Sequence, residues 1–136
     1  MITKLRCLAA LFAGFIVFSV SCGSGSSRMI TAIAVTPAAV TLQNAGNNKV
    51  QFSAMGTFNT SPTTAPIPVL WTIGNPFQPG PFFNGVSVDQ TGLAQCTTFT
   101  GTVSVFATAP PDPKMSPSTL EPLSPQVSGA ADLTCQ

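Results

Sequence analysis

The chain has 136 residues, a formal net charge of +1, 44% hydrophobic residues and only 7% charged ones. An average soluble protein carries about 25% charged residues. So few bases, and no histidine at all, argue against a nucleic-acid partner, which would need a basic patch. They also leave little equipment for acid–base chemistry.

The first 22 residues are ordered as an export signal. Lys4 and Arg6 form a basic start, Cys7 to Phe18 is almost wholly apolar, and Ser19-Val20-Ser21-Cys22 precedes the polar run Gly23 to Ser27. The apolar run suits a signal helix and is too short for a comfortable membrane span, which needs about 20 residues. The segment resembles the signal peptide of a bacterial lipoprotein, with Cys22 as the lipidated first residue of the mature chain. Ser19 departs from the Leu, Val or Ile usual at its position. An ordinary signal peptidase would cut the same Ser21–Cys22 bond, because Ser19 and Ser21 are both small. The lipid reading is preferred because a cysteine stands at this point directly before a Gly/Ser tether. Gly23 is not the aspartate associated with inner-membrane retention, so the resemblance implies the outer membrane, with free secretion as the alternative.

Cleavage there would leave 115 residues, enough for one modest core. The expected organisation is a signal over 1–21, a tether over 22–28 and one domain over 29–136. The mature side chains Arg28, Lys49 and Lys114 stand against Asp89, Asp112, Glu121 and Asp132, a net of −1. Cys7 leaves with the signal. Cys96 and Cys135 remain, and an oxidising destination predicts that they form one disulfide. Two thiols without histidine, and not in a CxxC pair, make a poor metal site. No metal or other cofactor is expected.

Past the tether, period-2 patterns and frequent Gly and Pro predict an all-β sandwich or barrel. Strands are expected at Met29–Thr36 and Val40–Gln43, with a turn over Asn44–Asn48. Lys49–Thr57 alternates most cleanly, with Val50, Phe52 and Ala54 on one face and Gln51 and Ser53 on the other. Asn59–Pro68 reads as a loop. Val69–Ile73 should point Val69, Trp71 and Ile73 inward. Gly74–Gly85 is a Pro/Phe/Gly loop, Val86–Val88 a short strand, Asp89–Gly92 a turn and Leu93–Cys96 a strand. Gly101–Ala109 sets Val103, Val105 and Ala107 against Thr102, Ser104 and Phe106. Pro110–Pro125 holds six of the thirteen prolines and is expected to be an extended, solvated loop. Val127–Gln136 is the last strand, with Leu133 and Cys135 on one face. If it runs antiparallel beside Thr102–Ala107, Cys135 ends near Cys96.

Three blocks carry a family resemblance. The first runs from Ile33-Ala34-Val35-Thr36-Pro37 through Val40-Thr41-Leu42 to Val50-Gln51-Phe52-Ser53-Ala54. The second is Trp71-Thr72-Ile73 with Asn75, followed by Val86 to Ala94. The third is Gly101 to Ala109. In this order and spacing the chain resembles a bacterial Ig-like domain of group 2 over roughly Met29 to Ala109. The resemblance implies an Ig-like β-sandwich of about seven short antiparallel strands. Such modules occur in adhesins, in surface proteins and as spacers, so it implies no enzymatic activity. The long insertion at Gly74–Gly85 and the final strand ending in Cys135 depart from the pattern.

No catalytic constellation is visible. The acidic residues form no close pair, Asp89 reads as a turn former, and no phosphate loop, calcium loop or zinc spacing appears. Asn59-Thr60-Ser61 matches a glycosylation sequon and is read as coincidence. The stretch able to meet a partner is the proline-held loop with Phe77, Phe82 and Phe83. Exposed aromatics on a stiff loop lose little entropy on binding. The competing expectation is that Phe82 or Phe83 plugs one end of the domain. The leading functional expectation is a non-enzymatic, lipid-anchored module of the cell envelope with a structural or adhesive role. Its partners would be the membrane, through Cys22, and a surface protein or glycan. The alternative is a secreted binder of glycan or peptide acting through the Phe loop.

Overall fold

The computed structural model of the protein describes residues 27–44, 48–76, 83–117 and 125–136. The described chain is all-β, with ten strands. They are β1 (Ile30–Thr36), β2 (Ala39–Leu42), β3 (Lys49–Gln51), β4 (Ser53–Phe58), β5 (Thr64–Pro66), β6 (Leu70–Ile73), β7 (Val86–Val88), β8 (Leu93–Cys96), β9 (Gly101–Ala109) and β10 (Val127–Cys135). The expected signal helix and Cys22 lie outside the described residues.

The strands pair in three ladders, ordered β1-β4-β5, β3-β8-β7 and β2-β10-β9-β6. The first two are consecutive along the chain through Phe52, which separates β3 from β4. The sequence reads Lys49–Thr57 as one strand, and its inward phase is right. Phe52 is 1% exposed and Ala54 is buried, while Gln51 and Ser53 are exposed. The pairing partner nevertheless changes at Phe52, from β8 to β1 and β5. The Phe52 N–H donates to the Gly92 carbonyl at 2.9 Å. The Gln51 side-chain amide donates to the Thr91 and Phe52 carbonyls, at 2.6 and 2.9 Å. A side chain therefore supplies bonds where the ladder is interrupted.

Three other expectations need correction. The expected strands numbered about seven and were antiparallel, but β2 runs parallel to β10, with Ala39 opposite Asp132 and Leu42 opposite Cys135. The expected loop Asn59–Pro68 contains β5, whose Pro66 lies opposite Met55. Pro is tolerated there because β5 is an edge strand and no neighbour needs its missing N–H. The Pro-rich stretch is not wholly solvated: Pro110 is buried, and the Pro111 carbonyl accepts the Ile30 N–H at 2.7 Å. That bond ties the stretch to the start of β1.

β9 and β10 pair antiparallel along their full length, from Val127 opposite Ala109 to Cys135 opposite Gly101. Alternation then places Val103, Val105, Ala107, Ala131, Leu133 and Cys135 on one face, all buried. These residues share one core with Ile33 and Val35 of β1, Ala54 and Phe58 of β4, Ala94 and Cys96 of β8, and Trp71 and Ile73 of β6. In β6, Val69 falls outside the strand and is half-buried, whereas Thr72, on the opposite face from Trp71, is only 2% exposed. The residue opposite Leu70 on β9 is Thr108, also buried. It bonds the Pro76 carbonyl at 3.1 Å and the Ser128 hydroxyl at 2.9 Å. The start of the Pro/Phe insertion thus lies over this sheet's other face.

Two glycines allow close approaches. Gly92 has φ +85°, and a Cβ there would meet the Phe52 carbonyl at 2.6 Å and the Trp71 ring at 2.9 Å. At Gly129 of β10, a Cβ would drive into the Ile33 carbonyl group of β1. The Cys96–Cys135 disulfide, with a Cα–Cα distance of 5.8 Å, joins β8 to β10 and so staples two of the ladders together.

The registers give the domain two ends. Ile30, Phe58, Leu70, Ala109 and Val127 gather at the end where the tether would enter. Gly101, Leu42 and the disulfide lie at the other.

Candidate functional site

Of the sequence-predicted site residues, Cys22, Phe77 and Phe82 lie outside the described residues. Phe83 is half-buried and packs against the core. Its ring lies against Gly74 and meets the Phe99 ring edge-on, 5.6 Å between centroids, a favoured aromatic geometry. With Pro76 held by Thr108, both ends of the insertion that the structure describes are fastened to the body of the domain. Phe83 therefore serves packing rather than standing free.

Cys96 and Cys135 are 1% and 0% exposed and are bonded to each other. A disulfide fits an oxidising compartment. Among the described residues, no three His, Cys, Asp or Glu side chains gather to hold a metal.

Asp89 shapes the β7–β8 turn. One carboxylate oxygen accepts the Thr91 hydroxyl at 2.6 Å, the Thr91 N–H at 2.8 Å and the Leu93 N–H at 3.0 Å. These bonds, the Thr91 hydroxyl foremost, hold the carboxyl below its ordinary pKa of 3.8. Such an acceptor is committed to turn geometry and is a weak base.

The same turn presents Gln90 to β6. The Gln90 amide oxygen accepts the Trp71 N–H at 3.3 Å, and its amide nitrogen donates to the Trp71 carbonyl at 3.2 Å. A side chain thus stands where a further strand would pair and covers part of the β6 edge. Beside it lies an open depression of about 340 Å³, bordered by Ser53, Pro66, Pro68, Trp71, Gln90 and Thr91. A second depression of about 230 Å³ runs past Phe83, Asn84, Ser87, Gln95 and Thr97. Neither is lined by a titratable side chain, so neither provides for proton transfer or for activating a nucleophile.

The tether-proximal end carries a different set of groups. Arg28, at the end of the expected tether, lies over the Phe58 ring, 3.8 Å from its centroid, and donates to the Pro62 carbonyl at 3.0 Å. Cation–π attraction and the hydrogen bond hold it to the domain. The Asp112 carboxylate accepts the Lys114 N–H at 2.9 Å, and its carbonyl accepts the Met115 N–H at 3.1 Å. The resulting turn leaves Lys114 exposed and Met115 51% exposed. Sequence reasoning passes over these residues because single exposed Met and Lys side chains in a Pro-rich stretch carry no pattern. The bond from Ile30 to Pro111 brings this turn to the start of β1.

No protein-family model matches the chain, and no curated protein matches it.

Proposed function

We propose that the chain is a lipid-anchored, non-enzymatic Ig-like module of the bacterial cell envelope, with a structural or adhesive role. The observation that carries the reading is the strand order. If β3 and β4 are taken as one interrupted strand, then β1, β3–β4, β8 and β7 follow the A-B-E-D order of an Ig sheet. The ladder β6-β9-β10 follows C-F-G, with β2 added at its edge. A buried Trp on the C strand is a further Ig feature, and Trp71 occupies that place. In antibody domains this Trp packs on a B–F disulfide. Here its aromatic neighbour is Phe52 of the interrupted strand, 6.3 Å between centroids, and the disulfide sits between the E- and G-like strands instead. A group 2 bacterial Ig-like domain is the family this order and the sequence blocks favour.

The anchor rests on the sequence around Cys22, with the outer membrane as the destination. The disulfide supports export. The packing of Phe83 against Gly74 and Phe99 favours the structural reading over a binder that works through that ring.

The intact mass of the mature protein taken from its membrane, with and without reductant, tests the proposal. The expected mass is Cys22–Gln136 plus a diacylglyceryl adduct, rising by two hydrogens on reduction. An unmodified Cys22–Gln136 mass would refute the anchor.

A further inference from the structure

We infer that the tether-proximal end of the domain is a membrane-docking surface, on which the Lys114-Met115 turn and Met29 sit against an anionic phospholipid bilayer. The inference rests on the lipid-anchor reading and says what the anchored domain does with its lower end. Three observations lead to it.

The first is reach. Five residues separate Cys22 from Arg28, and Arg28 is held against Phe58 and Pro62. Six residue steps of fully extended chain cover at most about 20 Å. A lipid on Cys22 therefore keeps this end of the domain at the bilayer at high effective concentration.

The second is apolar exposure. Among the described residues, the large hydrophobic side chains most open to water are Met115 (51%), Met29 (38%) and Met55 (37%). Met29 directly precedes β1. Met115 lines a small cleft with Ile30, Ile67, Pro68 and Pro113, and Ile30 is bonded to Pro111. Two of the three thus belong to the end nearest the anchor. Met55 lies on the flank of β4, opposite Pro66.

The third is charge. Among the described residues this end holds Arg28 and Lys114 against Asp112, whereas the rest of the domain holds Lys49 against Asp89 and Asp132. Asp112 spends its carboxylate on the turn. Counted over the described residues, this end is the one with a net positive side-chain charge, which suits anionic headgroups. Lys114 beside Met115 places a cation at headgroup level next to a flexible apolar side chain, the pairing expected of an interfacial contact.

Methionine oxidation reads the docking directly and carries an internal control. The mature lipidated protein is reconstituted on vesicles of phosphatidylethanolamine and phosphatidylglycerol (3:1). It is exposed to dilute peroxide, and sulfoxide formation at each methionine is followed by peptide mass spectrometry. Met115 and Met29 should oxidise at least about fivefold more slowly than Met55, because the bilayer excludes the oxidant. Rates at the three positions within about twofold, as their similar exposures would give without docking, overturn the inference. The double variant Lys114→Glu/Met115→Ser, on an exposed turn, should restore Met29 to the Met55 rate while unfolding followed by Trp71 fluorescence stays unchanged. Continued protection of Met29 in that variant also overturns it. Flotation of the same sample separates the two claims. Protein that floats with equal methionine rates refutes docking alone, whereas protein that does not float refutes the anchor and docking together.

Discussion

Replacing both Cys96 and Cys135 by Ala should remove a large share of the domain's stability. The bridge spans a sequence separation of 39, and the chain-entropy relation for a closed loop of that size gives about 4 kcal/mol at 25 °C. The two side chains are 1% and 0% exposed, so truncating them adds a packing loss to the entropic one. For a domain of this size a loss of 4 kcal/mol corresponds to a fall in Tm of roughly 15 °C. Trp71 is the only tryptophan and is 5% exposed, so its fluorescence reports guanidinium unfolding without a label. The midpoint should fall and the m value should rise, because a chain without the cross-link exposes more surface when unfolded. A loss below about 1 kcal/mol with an unchanged m value would refute the reasoning, since it would mean that the bridge does not restrict the unfolded chain.

Other perturbations test separate parts of the structure. Gly129→Ala should cost about 1–3 kcal/mol in denaturant unfolding, because the new Cβ strikes the Ile33 carbonyl group; a neutral result would count against the close approach of β1 to β10. Gln90→Ala removes both side-chain bonds to the Trp71 backbone and should cost about 1–2 kcal/mol. Hydrogen exchange at the Trp71 amide should quicken, and unaltered exchange would contradict the edge-covering role. Asp89 has a folded-state pKa below 3.8, so its contribution to stability is present above that value and is lost as pH falls through the depressed one. Asp89→Asn should flatten the acid limb of a urea-midpoint profile below about pH 4, and an unchanged limb would show that the carboxylate is not the group being titrated.

The strands read most directly from sequence are those whose two faces meet different surroundings. Gly101–Ala109 and Val127–Cys135 alternate because one face lies in the core, and β9 and β10 follow those ranges closely. Asp89-Gln90-Thr91-Gly92 is legible because an Asx turn followed by a positive-φ glycine needs those residue types. Phe52 shows where the signal stops: burial phase continues through it, but the exchange of partner strand leaves no mark on period-2 alternation. β5 is hidden because an edge strand of three residues is free to carry Pro and has little apolar pattern. Thr72 and Thr108 look like solvent-facing positions on β6 and β9 yet are buried; for Thr108, it takes Pro76, 32 residues away, to accept its hydroxyl. The proposed docking end leaves no sequence pattern for a similar reason, since the bond from Ile30 to Pro111 is what brings the Pro-rich stretch carrying Met115 to the start of β1, which Met29 directly precedes.

The arrangement of the two chain ends bears on a structural role. β1 and β2 run in the same direction from the tether-proximal end, and β10 runs beside β2 in parallel register from Asp132 opposite Ala39 to Cys135 opposite Leu42. A pull downward through the tether and upward beyond Cys135 would slide β2 along β10 rather than peel one from the other. The hydrogen bonds of that ladder lie across the strands, so a sliding load is shared among them. Parallel pairing is slightly weaker per residue than antiparallel pairing, but shared loading offsets this. The disulfide anchors the upper end of β10 to β8, and the β9–β10 ladder continues over all nine residues of β10. A load reaching Cys135 therefore passes into both layers of the core instead of drawing β10 out alone. The parallel β2–β10 pair, absent from the antiparallel strand order expected from sequence, is therefore the ladder that such a pull would load in shear.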